Sequence, residues 1–193
     1  MNIIFDLDGT LANLDHRLHY IRLMVGSAIT YNDQKFRVMA METTETTVVT
    51  LGFAEDHNDT VVMPLASAQA AFKPNWDAFF DAVIDDNPIE EMVAVFNALR
   101  ISGHHKLIIA TGRSDVAEHD TMFWLEERGI NAGLVLFRRA GDHRPDVKVK
   151  FDMYTTLLAK DMKPDLVFED RQGVVDMWRS HGIRVAQVAP GNF

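Results

Sequence analysis

The sequence predicts an α/β fold: a mostly parallel sheet with helices on both faces, carrying a small inserted antiparallel β module. Three observations predict it. Five short apolar segments read as strands: Asn2 to Phe5, Lys106 to Ala110, Leu134 to Phe137, Asp165 to Phe168 and Arg184 to Val188. Helical patterns separate them, and that alternation builds βαβ units. Residues 24–73 break the rhythm with runs of β-formers and turn residues. At 193 residues the chain is long enough for one buried core and a modest appendage. The expected organisation is an α/β core over 1–23 and 74–193, with residues 24–73 inserted as a β-rich accessory module.

In chain order, Ile3-Ile4-Phe5 runs straight into Asp6-Leu7-Asp8-Gly9-Thr10. Two carboxylates two residues apart on an extended segment point the same way. Asp6 and Asp8 therefore share the space beyond the strand's carboxyl end, where open α/β sheets bind ligands. Gly9 permits the sharp turn that follows. Within the insert, Ala28 to Tyr31, Lys35 to Met41, Thr46 to Phe53 and Thr60 to Met63 read as strands. Asn32-Asp33 and Asp56-His57-Asn58-Asp59 supply the turns between them. Phe36, Val38 and Ala40 alternate with Lys35, Arg37 and Met39, as on a half-buried strand. The result is an antiparallel meander, left open or closed into a barrel, followed by a helical period over Leu65 to Phe72.

Beyond the insert, Trp76, Phe79 and Phe80 read as helix core, or alternatively as a flap over a site. Asn87, Pro88 and Glu90 read as the cap, first position and capping box of a helix. Its apolar stripe is Met92, Val95, Phe96 and Leu99, and Gly103 stops it. Further helices are expected over Asp115 to Arg128, around Met153, Tyr154, Leu157 and Leu158, and from about Gln172 to His181. Gly129 and Gly182 end the first and last of these. Trp124 and Trp178 fall on helix faces and are expected in the core.

The composition is ordinary for a soluble globular protein, 47% hydrophobic and 24% charged. No apolar run is long enough to span a membrane, and no secretory signal precedes the first strand, so the cytoplasm is the expected location. With no cysteine, thiolate nucleophiles, thiolate metal sites and disulfides are excluded. A net charge of −9 argues against broad binding to duplex nucleic acid. The stretch from Arg138 to Lys150 is locally basic, with Arg138, Arg139, Arg144, Lys148 and Lys150 against Asp142 and Asp146. A small anion or the end of a strand suits that pattern.

Three further segments carry chemistry. The second strand ends in Thr111-Gly112-Arg113-Ser114 before a helix, and hydroxyl, glycine and backbone amides there make an anion site. Lys148 and Lys150 precede the helix of Met153 and Tyr154. The fourth strand ends in Glu169-Asp170-Arg171, where two adjacent acids exceed what a helix cap needs. His16 and His19 lie three apart with no third ligand for zinc; His16 and Arg17 are alternatively placed to line a pocket.

With Asp6-x-Asp8-Gly9-Thr10 as its first motif, the chain resembles the haloacid-dehalogenase (HAD) superfamily of aspartate-nucleophile phosphatases, whose core is a Rossmann-like sheet. Residues 141–150 and 169–193 resemble the phosphatase domains of bacteriophage polynucleotide kinase-phosphatases. The quoted likenesses are Gly141-Asp142-His143-Arg144, Glu169-Asp170-Arg171, Val174-Val175-Asp176-Met177-Trp178-Arg179 and the final Gln187-Val188-Ala189-Pro190-Gly191-Asn192-Phe193. The resemblance implies Asp6 as nucleophile, Asp8 as proton carrier, and Lys150 (rather than Lys148) as the lysine that neutralises the site. It implies phosphate or substrate binding by Thr111, Gly112, Arg113, Arg138 and Arg144. It also implies Mg²⁺ held by Asp6, Asp170 and the main-chain carbonyl of Asp8, with Glu169 as a second ligand or an acceptor just outside the ligand set. The expected reaction is Mg²⁺-dependent hydrolysis of a phosphate monoester on a nucleotide or polynucleotide 3′ end. Alternatives are a soluble nucleotidase or sugar-phosphate phosphatase, decided by how far the insert closes, and a non-catalytic binding protein of the same fold. No G-x-x-x-x-G-K-[ST] loop is present, so no kinase half is expected.

Overall fold

The computed structural model describes residues 1–43, 47–53 and 60–191. Thr46 and the expected turn Asp56-His57-Asn58-Asp59 lie outside them, as do Asn192 and Phe193. The elements are β1 (Asn2–Phe5), β2 (Ala12–Asn13), β3 (Ala28–Tyr31), β4 (Gln34–Thr43), β5 (Thr47–Phe53), β6 (Thr60–Pro64), α1 (Leu65–Ala71) and α2 (Trp76–Asp81). There follow β7 (Asn87–Pro88), α3 (Glu90–Ile101), β8 (Lys106–Ser114), α4 (Glu118–Glu127), β9 (Leu134–Arg138), α5 (Asp146–Ala159), β10 (Leu166–Arg171), α6 (Gln172–Ser180) and β11 (Arg184–Gly191). The chain divides into two compact units, residues 1–14 with 83–193, and residues 15–82. The segment expected as an insert, 24–73, falls within the second.

In the first unit a five-stranded sheet has the order β11-β10-β1-β8-β9, and its strand pairings are all parallel. Alternation along β1 and β8 builds two cores. Ile3, Phe5, Leu107 and Ile109 face Val93, Phe96 and Trp124 of α3 and α4. Ile4, Ile108 and Ala110 face Val149, Met153, Leu157, Val174 and Trp178 of α5 and α6. Helices thus cover both faces, as an all-parallel sheet requires. Phe5 stacks on Phe168 with ring centroids 4.4 Å apart and meets Phe96 edge-on. Trp124 and Trp178 are fully buried, as expected.

Three expectations are corrected here. Asn87 and Pro88 do not open α3; they pair antiparallel with Asn13 and Ala12 as β7, and α3 starts at Glu90 with no side-chain cap. The pairing satisfies backbone groups that a capping box would otherwise compete for. Helix α5 starts at Asp146, so Lys148 and Lys150 lie on it rather than before it. Between β8 and α4 the chain makes a 3-10 turn, Asp115–Ala117, capped by Ser114 Oγ accepting from the Val116 N–H.

The second unit holds the four-stranded antiparallel meander β3-β4-β5-β6, an open sheet rather than a barrel. Asn32 and Asp33 both take positive φ, as a two-residue hairpin turn demands. Ile29, Phe36, Val38, Val49, Leu51 and Met63 pack with Ala68 of α1. A register shift between Val38 and Ala40 interrupts the expected alternation. Phe79 is buried but Trp76 is about half exposed, so that aromatic group is only partly core. Arg17 is buried, its guanidinium 4.2 Å from the Phe79 ring centroid, and His16 Nε2 lies 3.2 Å from the Ala82 carbonyl.

Candidate active site

The ends of β1, β8 and β10 and the start of α5 meet around Asp6. Its N–H still donates to the Phe168 carbonyl at 2.9 Å, so the residue is fixed by the sheet while its side chain leaves it. Lys150, on the second turn of α5, is fully buried. It forms an ion pair with Asp6, donates to the Ala110 carbonyl at 2.5 Å, and lies 3.5 Å from Glu169 Oε2. Lys148 is exposed. Burial opposes charge on Lys150, but Asp6 and Glu169 outweigh it and hold the ammonium above its ordinary range.

Glu169 and Asp170 sit on the last turns of the β10 ladder. Glu169 Oε1 accepts from the Asp170 and Arg171 N–H groups, each at 3.2 Å. Both carboxylate oxygens of Asp170 are buried without a hydrogen-bond partner. A buried anion left so is costly unless a cation meets it. One oxygen each from Asp6, Glu169 and Asp170 lies within 4.8 Å of the others. Ligands of one octahedral cation at about 2.0–2.1 Å lie at most about 4.2 Å apart, so the three acids are near enough to close on one, and an all-oxygen donor set suits Mg²⁺. Three carboxylates facing one ammonium leave two negative charges for such an ion to offset. Without it, burial and Glu169 push the Asp6 carboxyl up to about 7, although Lys150 pulls it down. Burial and Asp6 push Asp170 up to about 6.

Asp8 is held by Arg113. Its Oδ1 accepts from Arg113 Nε at 2.9 Å and Nη2 at 2.5 Å. The same Nη2 donates to Asp86 Oδ2 at 2.5 Å, and Nη1 to Thr121 Oγ1 at 3.3 Å. Arg113, expected to clamp a phosphate, is instead a buried bracket between two carboxylates. Burial opposes its charge, and Asp8 and Asp86 hold the guanidinium above its ordinary range. The Asp86 carbonyl accepts from Trp124 Nε1 at 2.7 Å and from Arg128 Nη2 at 3.2 Å, which ties the bracket to α4.

Thr111 is buried, its hydroxyl accepting from the Arg113 N–H at 3.1 Å. Gly112 is there for space: a Cβ would come within 2.7 Å of Asp146 Oδ1. Arg138 donates to the carbonyls of Gly112, Asp142 and Arg144 at 2.8, 3.0 and 2.7 Å, and to Asp146 Oδ1 at 3.0 Å. It staples the loop between β9 and α5. Arg144 is exposed and paired with Asp142 and Asp152, both at 2.7 Å. Neither arginine presents an unengaged fork of the kind expected for substrate. Sequence reasoning missed Asp86, Asp146 and Arg171, which lies 3.5 Å from Asp146 Oδ2. Asp146 follows Pro145 at a helix start, the one local signal that marks it.

Residues 75–193, well over half the sequence, match the family model of the polynucleotide kinase PNKP phosphatase domain. The chain belongs to this family. It is thereby a HAD-type phosphatase, a phosphoric monoester hydrolase. Among solved structures it is similar to a chain of the Pnkp1/Rnl/Hen1 RNA repair complex, at 20% identity and TM-score 0.61, covering 100% of this chain and 43% of that one. It is also similar to a HAD-like hydrolase from Streptococcus pneumoniae (16%, TM-score 0.52, 96% and 83% covered). A HAD hydrolase from Entamoeba histolytica aligns at 16% and TM-score 0.54, covering 100% and 85%. At these identities the likeness shows a shared fold. The chain spans less than half the length of the repair-complex chains it matches. Among the described residues, no helix is long and apolar enough to cross a membrane.

Proposed function

We propose that the chain hydrolyses a phosphate monoester on a polynucleotide 3′ end or a nucleotide, through an aspartyl-phosphate on Asp6. The observation that carries this reading is the placement of Asp6 between the Lys150 ammonium and the unpartnered Asp170 carboxylate. Asp6, Glu169, Asp170 and the main-chain carbonyl of Asp8 are the residues that would hold Mg²⁺, whose charge lets an anionic nucleophile approach an anionic phosphate. An Asp6 carboxylate oxygen attacks phosphorus as the bond to the leaving oxygen breaks. Asp8, kept in place by Arg113, donates a proton to that oxygen. It then takes one from a water that attacks the phosphoryl group and frees Asp6. Lys150 keeps the Asp6 carboxyl ionised for attack and balances charge as it builds. Residues 24–73 are an accessory module carried by this core.

The family match and the likeness to a chain of an RNA repair complex support a nucleic-acid substrate. A small phosphorylated metabolite is the second reading, favoured by the engagement of Arg138 and Arg144 with local acids. Rates with Mg²⁺ on a 3′-phosphorylated oligonucleotide against a panel of mononucleotides and sugar phosphates separate the two. Turnover of the oligonucleotide with none of the small molecules supports the first; the reverse pattern removes it.

A further inference from the structure

The final strand does more than edge the sheet. Along β10 and β11, Glu169 is paired with Gln187 and Arg171 with Gly191. One residue, Asp170, therefore faces three, Val188, Ala189 and Pro190. The extra residues bow β11 out around the acid, as a bulge does. Both ends of the bow touch Asp170. Gln187 Nε2 donates to its carbonyl at 3.0 Å. At the other end, a Cβ built on Gly191 would overlap Oδ2 of Asp170 and come within 2.6 Å of its Cγ. Gly191 is not among the residues with positive φ, so backbone conformation does not demand glycine there. Room for the carboxylate does. This carboxylate is also the one whose two oxygens are buried without a partner.

We propose that the bow from Gln187 to Gly191 is a wall of the cation site, with Gly191 a positioning residue that fixes the Asp170 carboxylate for its metal. The inference rests on the reading of Asp6, Glu169 and Asp170 as the Mg²⁺ ligands. An added methyl at 191 has no way to fit except by turning the Asp170 side chain or lifting the strand. Either change moves one of the three carboxylate ligands and leaves Asp6 and Lys150 untouched. Loss of the Gln187 donor loosens the other end of the same residue.

Calorimetric titration of metal-free protein with MgCl₂ tests this on Gly191→Ala, Gln187→Leu, Asp170→Ala and Gly133→Ala. At Gly133 a Cβ meets only the Leu107 carbonyl at an ordinary 3.6 Å, so that variant is a matched control. Gly191→Ala and Gln187→Leu should each weaken Mg²⁺ binding roughly 10–100-fold, the usual effect of disturbing a ligand's support. Gly133→Ala should bind as wild type. With p-nitrophenyl phosphate, both variants should need more Mg²⁺ for half-maximal rate and regain kcat when it saturates. Wild-type affinity in Gly191→Ala, beside lost binding in Asp170→Ala, overturns the inference and leaves the metal assignment standing. Wild-type affinity in Asp170→Ala overturns the assignment as well. Should Gly191→Ala fail to fold, Gln187→Leu decides alone, and unaltered Mg²⁺ affinity there sinks the proposal.

Discussion

Replacing Asp6 by Asn should stop turnover and, in metal-free buffer, make the protein more resistant to unfolding at high pH than the wild type. The sign follows from where the Asp6 proton binds best. Burial and Glu169 raise its carboxyl from 3.8 to about 7 in the folded state. Below pH 3.8 both states are protonated and the shift costs nothing. As pH rises the unfolded chain ionises first, so stability is lost up to the folded value and is flat above it. The full difference amounts to about 4 kcal/mol at 1.36 kcal/mol per unit. Roughly a third of it is already incurred at pH 5, leaving about 3 kcal/mol between pH 5 and 8. Asn at position 6 keeps the shape, cannot ionise, and leaves Lys150 its contact with Glu169. Thermal melts in EDTA should then show the wild type falling by roughly 6–12 °C relative to the variant across that range, at about 2–4 °C per kcal/mol for a chain this long. Saturating Mg²⁺ should raise the wild type more at pH 8 than at pH 5, because the ligands must be deprotonated to bind it. A wild-type to variant difference that stays constant from pH 5 to 8 would refute the reasoning.

Arg113→Met should cost about 3–5 kcal/mol of stability, since it removes the cation shared by the buried Asp86 and nearly buried Asp8 carboxylates; chemical denaturation measures it, and a loss under 1 kcal/mol shows the bracket to be dispensable. Asp8→Asn should lose far more rate on an alkyl phosphate than on p-nitrophenyl phosphate, because only the alkoxide needs a proton to leave. Equal losses on the two substrates remove Asp8 as the proton carrier.

The charged residues that the structure gathers around Asp6 are legible where the spacing is local. Asp6 and Asp8 are two apart on a strand, Glu169 and Asp170 are adjacent at a strand end, and Lys150 sits in a short recognisable stretch. Arg113 misled because nothing near it in sequence shows its second partner: Asp86 lies 27 positions upstream and is brought in by the packing of α4. The capping box at Asn87 failed for the same reason, its backbone being taken by residues more than seventy positions earlier. Asp146 looked like one acid within a basic run. Its place depends on the missing side chain of Gly112, between β8 and the start of α5, which no spacing rule reports. The hairpin turn, the three helix stops at Gly103, Gly129 and Gly182, and the two buried tryptophans needed only nearest-neighbour chemistry, and these were read correctly.

The order β11-β10-β1-β8-β9 puts the strand nearest the N-terminus in the middle of the sheet. Its two neighbours begin at Lys106 and Leu166, so a ribosome must add about a hundred residues before Ile3, Ile4 and Phe5 find any lateral partner. At roughly 5–20 residues per second, that strand stays uncovered for about 5–20 s during synthesis. Misassembly and chaperone capture should concentrate in that interval, while residues 15–82, whose pairings are all short-range, have time to settle first.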